Sequence, residues 1–341
     1  MSRRHLQLAA LGWDSRYAEK FMAIAPPGSV AARVLADYGA SYLVHDGATV
    51  LRAIARHVDP TVGDWVVLDD GDIRGIVERR TVFSRRAAGN ENRQQVLAAN
   101  VDVAFVVAAG TDVNLRRIER YLTLAWQSGA MPVVLLTKAD VVDSIESVRD
   151  ELAAVSAGTP VIVTSSLSGE GVESVALELR PSRTGVLLGP SGSGKSTLIN
   201  TMLGTELLKT REIDERSGEG RHATSHRQLV QLPQGGMIID TPGLREAQLW
   251  QGADALEHLF EDIEELALQC RFSDCAHDAE PGCAIKAALA DGSLDPDRLQ
   301  SYRKLLRELR SIEVRSSARL QIEERKKWKQ ITMAARTRAR P

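Results

Sequence analysis

The sequence predicts an α/β multidomain chain, and three observations predict it. Five short runs rich in β-formers lie between residues 30 and 80, buried strands alternate with amphipathic helices from Asn100 onward, and the three cysteines fall together in one late segment. At 341 residues and 43% hydrophobic, the chain can bury large cores and should divide into two or three domains. The expected division is a barrel within residues 1–90, a nucleotide domain over 91–250, and a helical metal-binding domain with a basic tail over 251–341.

The first β-rich runs are residues 30–35, 41–44, 49–55, 64–68 and 73–80. Asp46-Gly47 and Asp70-Gly71 are hairpin signals between neighbouring runs. Five strands of this size suit an OB-type β-barrel, a frequent nucleic-acid platform. Single-strand readers stack bases on exposed aromatics; Tyr42 and Trp65 are the candidates, with core packing the better role for Trp65.

After a polar, Gly-containing joint at 87–92, strands at 101–108, 131–136 and 160–164 alternate with helices at 115–128 and 144–155. This βαβ succession implies a doubly wound, mostly parallel sheet. Beyond Trp250 the chain reads as helical and charged apart from the cysteine segment. No internal repeat or low-complexity tract is present.

Within the α/β region lies Gly189-Pro190-Ser191-Gly192-Ser193-Gly194-Lys195-Ser196-Thr197, a complete phosphate-binding loop. It follows an apolar strand and opens a helix, so backbone N–H groups and a helix N-terminus converge on a polyphosphate. Lys195 would reach the terminal phosphates and Ser196 would ligate Mg²⁺. The loop alone does not name the base and equally opens an ATP-driven domain or a small-molecule kinase.

The base is read by Thr137-Lys138-Ala139-Asp140, at the C-terminal end of the buried 131–136 run, where ligands bind in open α/β sheets. A carboxylate such as Asp140 accepts both N–H donors on the guanine edge, a pairing adenine cannot supply. The next buried run ends in Ser165-Ser166-Leu167-Ser168-Gly169, which resembles the loop that backs the base in GTPases. Leu167-Ser168-Gly169-Glu170-Gly171 also looks like the ABC-type ATPase signature, but that signature follows the phosphate loop within a helical subdomain. Here it precedes the loop and ends a strand. Both base-reading motifs thus come before the phosphate loop, the reverse of the order in most GTP-binding chains.

Further along, 235–240 reads as a buried strand ending in Asp240-Thr241-Pro242-Gly243: Asp240 for the Mg²⁺ shell, Gly243 for an N–H to the terminal phosphate. Between the two phosphate motifs lie a polar stretch, 205–219, and Gly220-Arg221-His222-Ala223-Thr224-Ser225-His226-Arg227. A switch segment needs a hydroxyl that ligates Mg²⁺ only when the terminal phosphate is present; Thr224 is the choice and Ser225 its rival. Where many GTPases place a water-orienting Gln after the Asp-x-x-Gly motif, this chain has Leu244. Water orientation must then come from His222, His226, backbone groups or a partner.

The cysteines are spaced Cys270-x4-Cys275-x-His277-x5-Cys283. Three thiolates and an imidazole make a closed, tetrahedral zinc site of the structural type. An odd cysteine count and the lack of a signal pattern disfavour a disulfide framework. Pro281-Gly282 supplies the turn a short knuckle needs.

In content and order these motifs resemble the ribosome small subunit-dependent GTPase A family, also called RsgA or YjeQ, whose members are circularly permuted GTPases. The resemblance rests on Thr137-Lys138-Ala139-Asp140, Ser165-Ser166, the 189–197 loop, Gly220-Arg221-His222, the Asp240 to Gly243 motif and the Cys/His cluster. Similar too is Asp112-Val113-Asn114 followed by Ile118-Glu119-Arg120-Tyr121-Leu122. It covers about residues 30–300. Departures are Thr137, where the family more often has Asn, and Ala223-Thr224-Ser225, where it has a run of Thr. The resemblance implies a late maturation factor for the small ribosomal subunit that binds the subunit and its rRNA and hydrolyses GTP to GDP and phosphate. Against it stands a nucleotide-dependent RNA-binding module with negligible hydrolysis.

Net charge is only −2, so no global basic field announces nucleic acid. The distribution says more: after Glu324 the tail carries Arg325, Lys326, Lys327, Lys329, Arg336, Arg338 and Arg340 with no acidic residue, and Arg3 and Arg4 mark the other end. Basic arms favour a phosphate backbone through counterion release. No apolar stretch approaches a membrane span and no signal pattern opens the chain, so a cytoplasmic protein, monomeric away from the ribosome and without a membrane partner, is expected.

Overall fold

The computed structural model describes residues 3–86, 94–205, 227–240, 253–278 and 280–316. The chain forms two compact units, residues 1–84 with 96–247, and residues 85–95 with 248–341.

Two helices that the sequence reading did not anticipate, α1 (Arg3–Ala10) and α2 (Ser15–Ile24), open the first unit. α2 begins where the Asp14 carboxylate accepts the Tyr17 N–H at 3.0 Å, satisfying one of the donors a helix start leaves open. Trp13 and Tyr17 bring their rings to 4.6 and 5.9 Å from Trp65.

The barrel strands are β1 (Val30–Asp37), β2 (Tyr42–His45), β3 (Val50–Ala55), β4 (Trp65–Asp69) and β5 (Asp72–Ile76). They pair in the order β1-β2-β3-β5-β4, and β4 returns to β1 to close the barrel. Asp70 and Gly71 join β4 to β5 with φ of 47° and 80°, the left-handed pair that matches the twist of a two-residue hairpin. β5 stops at Ile76, short of the run expected to reach residue 80, because Arg79 turns inward. Its guanidinium grips the buried Asp64 carboxylate at 2.8 and 2.7 Å.

Alternation along β2 points Tyr42 and Val44 into the barrel, where they join Ala32, Val34, Ala53, Val66, Leu68 and Ile73. Tyr42 and Trp65 are 6% and 0% exposed. The core role expected for Trp65 holds, and Tyr42 shares it; neither ring offers a face to a base.

Two further strands, β6 (Val82–Arg86) and β7 (Gln94–Ala99), make a small two-stranded sheet on either side of the expected joint. The joint itself lies outside the described residues.

The nucleotide sheet is built from β8 (Val103–Ala109), β9 (Met131–Thr137), β10 (Val161–Val163), β11 (Thr184–Leu188), β12 (Arg227–Gln231) and β13 (Met237–Asp240). β10-β9-β8-β11-β13 run parallel, and β12 lies antiparallel on β13. Period-2 alternation sends Val103, Phe105 and Val107 into one core with Val175 of α5 (Val172–Leu177) and Leu198 and Met202 of α6 (Lys195–Leu203). α3 (Leu115–Ser128) packs against β8 and β9, and α4 (Ile145–Val155) against α3 and β10. The sheet is doubly wound, as expected. β12 also pairs with β1, which makes barrel and nucleotide sheet one continuous run of strands.

The second unit holds α7 (Ala253–Leu259), α8 (Glu261–Leu268), α9 (Ala284–Asp291) and α10 (Pro296–Ser316). Arg298 of α10 clamps both oxygens of Asp262 at 2.7 Å, and Tyr302 donates to Glu264 at 2.6 Å. Among the described residues, no helix is long and apolar enough to cross a membrane.

Candidate nucleotide site and metal centre

β11 delivers the chain to Gly189, and α6 begins at Lys195. A side chain at Gly189 would meet the Val107 carbonyl at 2.9 Å, so only glycine lets the loop turn this closely over β8. Gly194 then caps α6 with φ of 85°, a conformation that costs glycine little. The helix start therefore faces the loop, and Ser196 sits in its first turn.

Lys195 folds back over the loop. Its ammonium donates to the Gly189 carbonyl at 3.0 Å, the Ser193 hydroxyl at 3.2 Å and the Pro190 carbonyl. These acceptors hold the cation where anionic oxygens would enter. Ser193 is buried, while Ser191, Gly192 and Thr197 are exposed along the open side of the loop.

Thr137 ends β9 and is 3% exposed. Its hydroxyl donates to the Ser193 carbonyl at 2.8 Å, which ties the base motif directly to the phosphate loop. The same residue's carbonyl accepts Gly110 N–H at 2.8 Å. Lys138 follows with φ of 60°, and Ala139 N–H bonds the Thr164 carbonyl at 3.2 Å. This sharp turn lifts Asp140 out of the sheet end.

There the Ser165 hydroxyl donates to Asp140 Oδ1 at 2.5 Å and accepts Ser168 N–H at 3.2 Å. Ser165 is buried and Ser166 half-buried, whereas Asp140 is exposed. The exposed carboxylate is thus oriented by one serine. The loop from Ser165 to Gly169 belongs to this base corner, at the end of β10. It lies between β10 and α5 and ahead of the phosphate loop, not after it as the ABC-type reading requires.

Asp240 ends β13, the strand beside β11, with Gln228 of β12 as its register partner. Asp240, Ser196 and Lys195 therefore all lie at C-terminal strand ends or the helix start that follows one. His222, Thr224, Ser225, His226, Gly243 and Leu244 lie outside the described residues, as does the basic tail.

In the second unit, Cys270 follows α8 and Cys283 caps α9, while Cys275 and His277 come from the loop between. The ligand atoms of all four lie within 4.8 Å of one another. Cys270 Sγ is 3.9 Å from Cys283 Sγ, and His277 Nδ1 is 3.5 Å from both sulfurs. A tetrahedral zinc with ordinary Zn–S and Zn–N lengths demands about 3.8 Å between sulfurs and about 3.6 Å between sulfur and nitrogen. The donor set fits zinc in kind, and Cys270, Cys283 and His277 fit it in spacing.

Electrostatics agree with a site that wants a cation. Burial pushes the Cys270 thiol up, but N–H groups of Ala284 and Ile285 outweigh it and hold the thiol below its ordinary value. Cys275 is pushed up to about 11 by burial and by its neighbours Cys283 and Cys270. Crowded sulfurs cannot all ionise without positive charge among them.

Two supports were missed in the sequence. Arg303 of α10 donates to the His277 carbonyl at 2.8 Å, and the Glu280 carboxylate accepts N–H groups of Ala276 and Asp278 at 3.1 and 2.9 Å. Glu280 had a local signal, its place in the same short loop; Arg303 had none.

Comparison with known proteins agrees with this geometry. The RsgA GTPase family model matches residues 76–250. The small ribosomal subunit biogenesis GTPase RsgA of Opitutus terrae is 41% identical over 362 residues, covering 98% of each chain. The protein of the same name from Streptomyces avermitilis is 43% identical over 338 residues, covering 94% of this chain and 91% of the relative. Among solved structures, YjeQ from Thermotoga maritima is similar with a TM-score of 0.61 and 25% identity, over 82% of this chain and 98% of that one. With a family model over half of its length and relatives above 40% identical across nearly all of it, the chain belongs to the RsgA GTPase family.

Proposed function

We propose that this chain hydrolyses GTP to GDP and phosphate in the maturation of the small ribosomal subunit, and that it binds that subunit through its rRNA. The observation that carries the reading is the Thr137 to Ser193 bond at 2.8 Å. It joins a guanine-reading motif to a phosphate loop although the motif comes first in the chain. The names of the relatives supply the ribosomal partner.

Each site residue then has a task. Thr137, Lys138, Ala139 and Asp140, backed by Ser165 and Ser166, would hold the base, with the Asp140 carboxylate taking the guanine N–H donors. Residues Gly189, Pro190, Ser191, Gly192, Ser193, Gly194 and Thr197 would wrap the phosphates, and Lys195 would exchange its loop carbonyls for phosphate oxygens. Ser196 and Asp240, with Thr224 from the switch segment, would hold Mg²⁺; Gly243 would meet the terminal phosphate. When bound, Mg²⁺ would supply positive charge that neutralises the charge developing on the phosphates.

Leu244 in place of a water-orienting Gln leaves the isolated site short of one catalytic part. His222 or His226 would supply it once the subunit is bound. Missing parts of this kind are worth about 10³ to 10⁵ in rate, so turnover alone should be slow. Cys270, Cys275, His277 and Cys283 would hold one structural zinc, which contributes to folding and not to chemistry. The division into domains of residues 1–90, 91–250 and 251–341, a cytoplasmic location and a monomeric state off the ribosome complete the proposal.

The test is GTP turnover with and without purified small subunits, using Lys195→Ala as the inactive control. Acceleration by subunits that weakens as salt rises supports the reading. Equal turnover in both conditions at low salt overturns it.

A further inference from the structure

We propose that the ion pair between Asp37 of β1 and Arg227 of β12 is a positioning pair that relays engagement of the barrel to the nucleotide site. The inference rests on the reading above, that the small subunit stimulates GTP hydrolysis.

Among the described residues, β1 is the strand shared by barrel and nucleotide sheet. It pairs with β2 and β4 on the barrel side and with β12 on the other. The middle of β1 is fixed deep inside. Arg33, 1% exposed, donates to the Asn100 carbonyl and the Thr184 hydroxyl at 3.2 Å and to the Leu11 carbonyl at 3.4 Å. Thr184 begins β11, the strand that ends in the phosphate loop.

The C-terminal end of β1 is Asp37, and its carboxylate faces two ways. Oδ1 accepts the Gly39 N–H at 2.8 Å, which orders an exposed turn closed by Tyr38 N–H to the Ser41 carbonyl at 3.0 Å. Oδ2 lies 3.9 Å from the Arg227 guanidinium. Arg227 also donates to the Val96 carbonyl at 3.1 Å. From there the strand register runs straight into the site: Asp37 stands opposite Arg227, Ala36 opposite Gln228, and Gln228 opposite Asp240, the candidate Mg²⁺ carboxylate.

A long, partly exposed ion pair adds little to stability. Its placement gives it a different value. In this proposal the small subunit seats on the exposed 38–41 turn, and a shift of the Gly39 bond would change the angle at which Asp37 meets Arg227. Only two ladder steps separate that pair from Asp240, and in sequence Arg227 directly follows His226. Coupling between distant sites needs a packed element that both sites bias; β1 and β12 form one.

The test measures GTP turnover alone and with saturating purified small subunits for the full chain and four variants. Asp37→Asn keeps an acceptor for Gly39 but loses the charge. Arg227→Gln loses the other charge, Arg227→Lys retains it, and the double variant Asp37→Arg with Arg227→Asp reverses the pair. Expected is unchanged GTP affinity and turnover alone, and a fall of about five-fold in the maximal stimulated rate for each charge-removing variant. Arg227→Lys should keep most of the stimulation, and the reversed pair should recover part of it. Full stimulation in Asp37→Asn and Arg227→Gln overturns the relay. So does a loss seen only in the subunit concentration needed for half-maximal rate, which would make Asp37 a docking contact, or a fall in turnover alone with a lowered unfolding midpoint, which would make the pair structural. If the wild-type chain is not stimulated, the ribosomal reading itself fails and the relay falls with it.

Discussion

Around the phosphate loop, β8, β9 and β11 contribute Val103, Phe105, Val107, Val133, Leu135 and Leu187, all buried in one apolar cluster. Around the cysteine cluster, Cys283 is the one buried residue among those described from 270 to 283. The first region holds its polar atoms in place by packing, so the nucleotide pocket keeps its geometry without a ligand. The second has too little apolar surface to close a loop by itself. Its four donors, gathered within 4.8 Å of one another, point to a bound metal as the source of cohesion. On the proposed reading, one region is preformed for a substrate and the other would be completed by a metal.

Removing the metal should produce the largest effect. A structural zinc contributes about 10 to 16 kcal/mol of metal-coupled folding free energy at neutral pH. Chelation, or Cys283→Ser, should therefore unfold the 270–283 loop and loosen α8 and α9, while GTP binding persists. Limited proteolysis with and without GTP, alongside elemental analysis, checks it. A fully folded, metal-free second unit would break the comparison, and loss of GTP binding on chelation would show that the two regions are not independent.

The next effect concerns the base. Asp140→Asn should erode preference for GTP over ATP and favour xanthine nucleotides, because a pocket built on hydrogen bonds discriminates by about 10⁴ or more. Asp140 is exposed in the chain as it stands, so that discrimination depends on the base itself covering the carboxylate. Thermal-shift protection by each nucleotide measures it. Equal protection of the wild type by ATP and GTP would remove the guanine assignment.

The smallest effect sharpens the claim of preformation. Thr137→Val removes the hydroxyl that ties the base motif to Ser193, at a cost of about 1 kcal/mol for one hydrogen bond. Nucleotide affinity should fall about five-fold, for GTP and GDP alike, with little change in unfolding midpoint. An unchanged affinity would mean that the loop keeps its shape by packing alone.

The base and phosphate motifs were legible in the sequence because each one terminates a short apolar run. Strand burial is a local signal, and a motif at a strand end has one place to go. The barrel's hairpins were legible for a similar reason: Asp70-Gly71 can adopt the left-handed pair that the turn requires. What stayed hidden depends on distant partners. β12 reads Arg-Gln-Leu-Val-Gln after a long polar stretch, and nothing local says that it pairs with β1. Arg33 sits mid-strand in a β-forming run, and only the folded chain supplies the acceptors that make its burial tolerable. Tyr42 looked available for stacking because alternation does not say which face of a strand is the inner one until the barrel closes.

The account's central claim is that the nucleotide site is preformed for binding but incomplete for turnover. It is tested most directly by GTP hydrolysis under single-turnover conditions, with and without purified small ribosomal subunits, at low salt. The account predicts tight binding of GTP by the free protein, slow hydrolysis alone, and acceleration of about 10³-fold or more when subunits are added. Rapid hydrolysis by the free protein, unchanged by subunits, would contradict it.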